Sequence, residues 1–173
     1  MPKFASNLSV AVTCALGCTA SHEGDSGSAR ALGTVTCEAE GGAYPIDSYA
    51  PHLTKVGHMG ALSFELVQSN PAPPGQGDNT FTVKITRSDN TPFGGKLYVD
   101  PYKGVFMPLH GHAASVVPTI TFDPTRNTYT LIPMDLFMPG LWRVTLEAFD
   151  TTGTDADAAR SPTDVAVFYF CVG

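Results

Sequence analysis

A chain of 173 residues with a formal net charge of −6 and no cluster of Lys or Arg argues against a nucleic-acid partner, because binding phosphate needs a basic footprint. Only 15% of its residues are charged, while 17 glycines and 14 prolines punctuate it, a balance that disfavours long solvated helices and favours strands joined by turns. The hydrophobic share of 43% suits one globular domain with a leader or tail.

Residues 1–18 read as a signal peptide. Lys3 supplies a positive start, Leu8 to Leu16 a short apolar stretch, and Ala15-Leu16-Gly17-Cys18 sets small residues ahead of a cysteine. The stretch is too short to span a bilayer. It resembles a bacterial lipoprotein signal, with Cys18 as the lipidation site and a lipid anchor to the membrane; an ordinary export signal or a disordered start is the alternative. The expected location is therefore outside the cytoplasm, as a periplasmic protein or an outer-membrane lipoprotein of a bacterium. Beyond the leader, Cys37 and Cys171 lie near the two ends of the remaining chain. A disulfide between them would close a loop of roughly 130 residues, worth about 4–5 kcal/mol if it acts on chain entropy alone. Such a bridge belongs in an oxidising compartment. Two separate buried thiols are the alternative.

Residues 19–36 are rich in Ser, Gly and Ala and read as a flexible tether. The domain proper is expected over 37–173. It begins irregularly, with Tyr44, Tyr49 and Leu53 as anchors, and turns period-two after Gly60. Leu62, Phe64 and Leu66 form one apolar face; Phe81, Val83 and Ile85 form the next, beyond the break Asn70-Pro71-Ala72-Pro73-Pro74-Gly75. Leu97 and Val99, then Val116, Pro118, Ile120 and Phe122, then Tyr129 and Leu131 continue the pattern. Trp142, Val144, Leu146 and Ala148 alternate with Arg143, Thr145 and Glu147. A polar loop from Thr151 to Thr163 precedes Val165–Val172, which is apolar on both faces and is expected to be central. About seven such strands predict an all-β fold, an immunoglobulin-like antiparallel β-sandwich with Trp142 in its core.

The chemistry concentrates in Phe106-Met107-Pro108-Leu109-His110-Gly111-His112, whose opening recurs as Phe137-Met138-Pro139-Gly140. Thioether and imidazole together suit copper, Cu(I) above all, better than hard cations. The turn Asp123–Asn127 serves as a ruler. If it centres near Thr125, opposed positions in the hairpin sum to about 250, so His112 faces Met138 and His110 faces Gly140. His110 and His112, two apart in extended chain, point the same way. The metal set is then Met107, His110, His112 and Met138, with Met134 in reserve should the register slip. The plainer alternative makes the histidines part of a core face with Val116 to Phe122, and the methionines hydrophobic plugs. His58-Met59 is a second soft pair, read as loop. No nucleophile elbow, HExxH, phosphate loop or paired-carboxylate motif is present, so the chain is not expected to be an enzyme.

From about Gly60 to Cys171 the chain resembles the YtkA-like domain, also described as FixH-like, of exported bacterial proteins. The resemblance rests on Asn70-Pro71-Ala72-Pro73-Pro74, on Gly77-Asp78-Asn79-Thr80-Phe81-Thr82-Val83, on the two Phe-Met-Pro runs as far as Trp142, and on Phe168-Tyr169-Phe170-Cys171. It implies a β-sandwich domain of the kind found beside copper-handling proteins. The expected function is therefore a copper-binding module that holds Cu(I) or exchanges it with a donor or acceptor protein. The alternatives are a non-catalytic structural or protein-interaction sandwich and an accessory to a membrane complex.

Overall fold

The computed structural model describes Cys37, Gly42, residues 44–150 and residues 161–173. The expected signal peptide with Cys18, and the 19–36 tether, lie outside the described residues. Ten strands are described: β1 (Leu53–Val56), β2 (Leu62–Asn70), β3 (Gly77–Arg87), β4 (Lys96–Tyr98), β5 (Val105–Met107), β6 (His112–Ala113), β7 (Thr119–Asp123), β8 (Thr128–Leu136), β9 (Gly140–Phe149) and β10 (Asp164–Val172).

They form two antiparallel sheets. The first runs β1-β2-β3-β8-β7; the second runs β10-β9-β5-β6, with β4 pairing the far end of β9. Apart from the added β1, the first sheet has the A-B-E-D order of an immunoglobulin domain, and the second has the G-F-C order extended by one short strand. The all-β sandwich expected from the sequence is the fold. The strands beyond the expected seven are short: β1, β5 and β6 have four, three and two residues.

Period-two alternation builds the core. The inward residues of β2 (Leu62, Phe64, Leu66) and of β9 (Trp142, Val144, Leu146) belong to one buried cluster. Each large side chain so buried is worth about 1.5–3 kcal/mol. Phe81 of the first sheet meets Phe170 of the second edge-on at 5.6 Å, a preferred aromatic geometry. Tyr129 is also buried; its hydroxyl donates to the carbonyls of Phe93 and Gly95, and burial pushes its pKa up to about 12.

The last strand departs from expectation. β10 is an edge strand, hydrogen-bonded to β9 alone among the strands. Its free edge is covered by the segment ahead of β1. Asp47 N–H donates to the Tyr169 carbonyl, Tyr169 N–H donates to the Asp47 carboxylate, and the Tyr44 ring lies 5.4 Å from that of Tyr169. The Cys37–Cys171 disulfide, spanning 134 positions, ties the chain ahead of that segment to the same strand.

One buried carboxylate fastens β10 to the first sheet. Asp164 is fully buried, and its two oxygens accept hydrogen bonds of 2.8 Å from the backbone N–H groups of Met59, Ala61, Leu62 and Val165. Gly57 leaves room for it: a Cβ there would lie 2.2 Å from the carboxylate. Burial alone would push the carboxyl up, but the four donors outweigh it and hold the pKa below the ordinary aspartate value. A folded-state pKa below the unfolded one gives stability that is complete above about pH 4 and fades as pH falls further. Asp164→Asn replaces an acceptor with an amide that opposes the donors, and should cost about 2–3 kcal/mol at neutral pH. Thermal melts should show the wild type losing stability on acidification below about pH 4 more steeply than the variant; parallel acid profiles would rule out Asp164 as the source.

Candidate metal centre

The first Phe-Met-Pro run folds as a complete hairpin. β5 ends at Met107, Pro108–Gly111 turn, and β6 begins at His112, which is the register partner of Met107. The Met107 carbonyl accepts from Gly111 N–H at 2.9 Å and from His110 N–H at 3.3 Å. Gly111 has φ +69°, a left-handed backbone that costs a side-chain-bearing residue about 1 kcal/mol. Pro108 and Gly111 thus set the turn that raises both histidines to the surface. The imidazoles of His110 and His112 are exposed and parallel, with centroids 6.5 Å apart and 4° between planes.

That spacing bears on chemistry. With a metal–nitrogen bond of about 2.0 Å and about 1.1 Å from ring nitrogen to ring centre, two imidazoles on one ion sit at most about 6.2 Å apart. The observed 6.5 Å lies just beyond that limit, and exposed side chains change rotamer in picoseconds to nanoseconds.

The sulfurs are placed differently. Met107 and Met134 are both 0% exposed and belong to the hydrophobic cluster, while Met138 is partly buried against it. As the cross-strand partner of His112, Met107 has its side chain on the same side of the sheet, with Cβ atoms about 5 Å apart by standard sheet geometry. Met138 lies in the connection between β8 and β9, and its carbonyl accepts the Trp142 indole N–H at 2.8 Å. The Phe137 ring meets Trp142 edge-on at 5.4 Å. β5 pairs β9 as Val105↔Val144 and Phe106↔Arg143; one further step sets Met107 level with Trp142. The two Phe-Met-Pro runs therefore approach the same tryptophan, from a neighbouring strand and from the preceding loop.

The cross-strand pairing His112–Met138 is not found. The turn itself behaves as expected, since Asp123↔Thr128 to Thr119↔Ile132 pair in steady register about its centre. Two features end the ladder beyond that point. β8 carries an extra residue between Leu131 and Met134, seen against Phe81 and Asn79 of β3. That bulge brings Met134 to the core in place of Pro133. The chain before Thr119 also leaves the first sheet, and His112 pairs in the second instead. Val116, Val117 and Phe122 are exposed and Ile120 is only partly covered, so apart from buried Pro118 the expected core face through Val116–Phe122 is an edge rather than an interior.

Asp135, the acid nearest in sequence to Met134, is buried and accepts a 2.5 Å hydrogen bond from the Ser115 hydroxyl. It thereby fastens the β6–β7 connection to β8. Among the described residues no three His, Cys, Asp or Glu side chains converge on a point that could hold a metal. Among side chains near the hairpin, thioether sulfur is the donor that could extend a two-nitrogen site. His58 and Met59 belong to the loop over Asp164, with His58 N–H on the Val165 carbonyl.

No protein-family model, no curated protein and no solved structure matches the chain. Trp142 is the residue whose role at this corner the sequence left unread. Trp142→Phe removes the donor to the Met138 carbonyl and leaves a void beneath both runs. It should cost about 2–4 kcal/mol by urea denaturation; a change under about 0.5 kcal/mol would show that the corner does not depend on the indole.

Proposed function

We propose that this is an exported module that holds Cu(I) at the β5–β6 hairpin and passes it to, or accepts it from, a partner protein. The observation that carries the reading is the exposed, parallel pair His110 and His112, whose ring separation is close to that of two imidazoles on one ion. Met107, the strand partner of His112, is the first candidate for a sulfur donor, and partly buried Met138 the second. Met134 lies in the core on the other sheet and serves as packing unless the corner opens. Neutral imidazole supplies the stronger donors, and a thioether favours Cu(I) over Cu(II) without having to lose a proton. A surface turn of this kind suits exchange of an ion between proteins better than permanent storage. The resemblance to YtkA-like domains, the Cys37–Cys171 disulfide and the lipoprotein-like start ending at Cys18 support an exported, membrane-anchored setting.

A second reading rests on the complete burial of Met107 and Met134. In it the methionines are core residues, the histidines decorate a turn, and the sandwich is a structural or interaction module, such as an accessory to a membrane complex. Titration of the reduced full-length chain against a chromophoric Cu(I) chelator separates the two. The copper reading expects one equivalent to be withdrawn, affinity to fall about 100-fold in His110→Ala/His112→Ala, and a fall of about tenfold in Met107→Leu or Met138→Leu. Failure to withdraw copper, or unchanged affinity in the folded double-histidine variant, would overturn the copper reading.

A further inference from the structure

A groove of about 550 Å³ lies on the outer face of the second sheet, away from the sandwich core. Its floor follows from strand parity. Because Trp142, Val144 and Leu146 point inward, Arg143, Thr145 and Glu147 point outward along β9. Lys103 and Asp100 enter from the β4–β5 loop, and His58 from the β1–β2 loop. The β4–β5 loop is tied down: the Asp100 carboxylate accepts from Tyr102 and Lys103 N–H, Thr145 N–H donates to the Gly104 carbonyl, and Arg143 Nη2 donates to the Lys103 carbonyl.

Charge is sorted along the groove. Arg143 and Lys103 mark one end. Glu147 marks the other, where His58 is held by the Val165 carbonyl, Val165 being the strand partner of Glu147; Asp100 lies between, accepting from Lys103 N–H and repelling the Glu147 carboxylate. Burial first, and then Asp100, push the Glu147 carboxyl above its ordinary value, so a cation bound there would relieve both. Elsewhere on the surface several opposite charges are paired, as in Lys55–Asp47, Arg87–Asp150 and Arg126–Asp123. Among the described residues Arg143, Lys103 and Glu147 form no ion pair, and Arg143 Nε is buried without a hydrogen-bond partner. The Arg143 guanidinium is instead held over the Phe106 ring at 5.2 Å. Four residues of strand separate Arg143 from Glu147, about 13 Å, too far for the two ends to neutralise one another.

We infer that this groove binds a short zwitterionic peptide in extended form, its terminal carboxylate at Arg143 and Lys103 and its terminal ammonium at Glu147. Length and charge order together select this class. A free amino acid cannot span the two ends, whereas about four extended residues reach about 13 Å. Strand addition is not the mode, because β9 is already paired with β10 on one side and with β4 and β5 on the other. Recognition therefore falls to side chains.

The test is a titration of the metal-free full-length protein with tetra-alanine bearing free termini, followed by backbone amide shifts and by calorimetry. The inference expects saturable shifts around Thr145. It also expects binding at least about tenfold weaker for tetra-alanine blocked at either end and for di-alanine, and a further weakening at high salt. Lys103→Gln, whose ammonium is in no ion pair, and Glu147→Gln should each weaken binding about tenfold while leaving the melting temperature in place. No saturable shift, or equal binding of free and end-blocked peptide, would overturn it.

Discussion

The corner of the sandwich depends on burying one indole with its N–H satisfied. Trp142 is the largest fully buried side chain, and an unpaired buried donor would cost about 1–3 kcal/mol. The Met138 carbonyl meets that need from four residues upstream, which fixes the path of Phe137–Gly140 as the chain passes from β8 in one sheet to β9 in the other. Gly140, at φ +132°, takes the backbone turn that this path requires. Phe137 closes over the indole edge, and its carbonyl accepts from the Gln76 side chain. The position of the second Phe-Met-Pro run is therefore a consequence of tryptophan burial.

A similar logic secures the other end of the sandwich, with a charge in place of an indole. The Asp164 carboxylate gathers the N–H groups of a β-turn region a hundred residues away, and Gly57 stands aside for it. Asn79 does the same work near the metal-candidate corner, bonding Gly75, Gly77 and Met134 through one side chain. Buried polar groups here are few and almost fully satisfied, which is what makes each of them position-specific.

How much of this was legible depends on whether the signal was local. Period-two alternation is local, and Leu62 to Leu66, Phe81 to Ile85 and Trp142 to Ala148 all read true. The turn at Asp123–Asn127 is also local, and its centre falls within half a residue of the expected one. Extrapolation from it failed because the bulge at Ile132-Pro133 changes the register and because the chain switches sheets between His112 and Thr119. Neither event leaves a mark in alternation alone. The edge position of β10 was hidden for a related reason: the segment around Asp47 lies along its free edge, and a covered edge has the composition of a central strand. Asp164 is one acid at a strand end, with partners far off in sequence and no motif to announce it.

The short strand β5 joins the two faces on which the functional readings rest. Its parity sends Met107 inward, level with Trp142 and paired with His112, and sends Phe106 outward beneath the Arg143 guanidinium. Adjacent residues of one motif thus support the hairpin that carries the imidazoles and the cationic end of the outer groove. Rearrangement of Met107 toward a ligand at the hairpin would have to move β5, whose pairing with β9 runs through Phe106 and Arg143. Packed sheets resist such movement unless both partners shift.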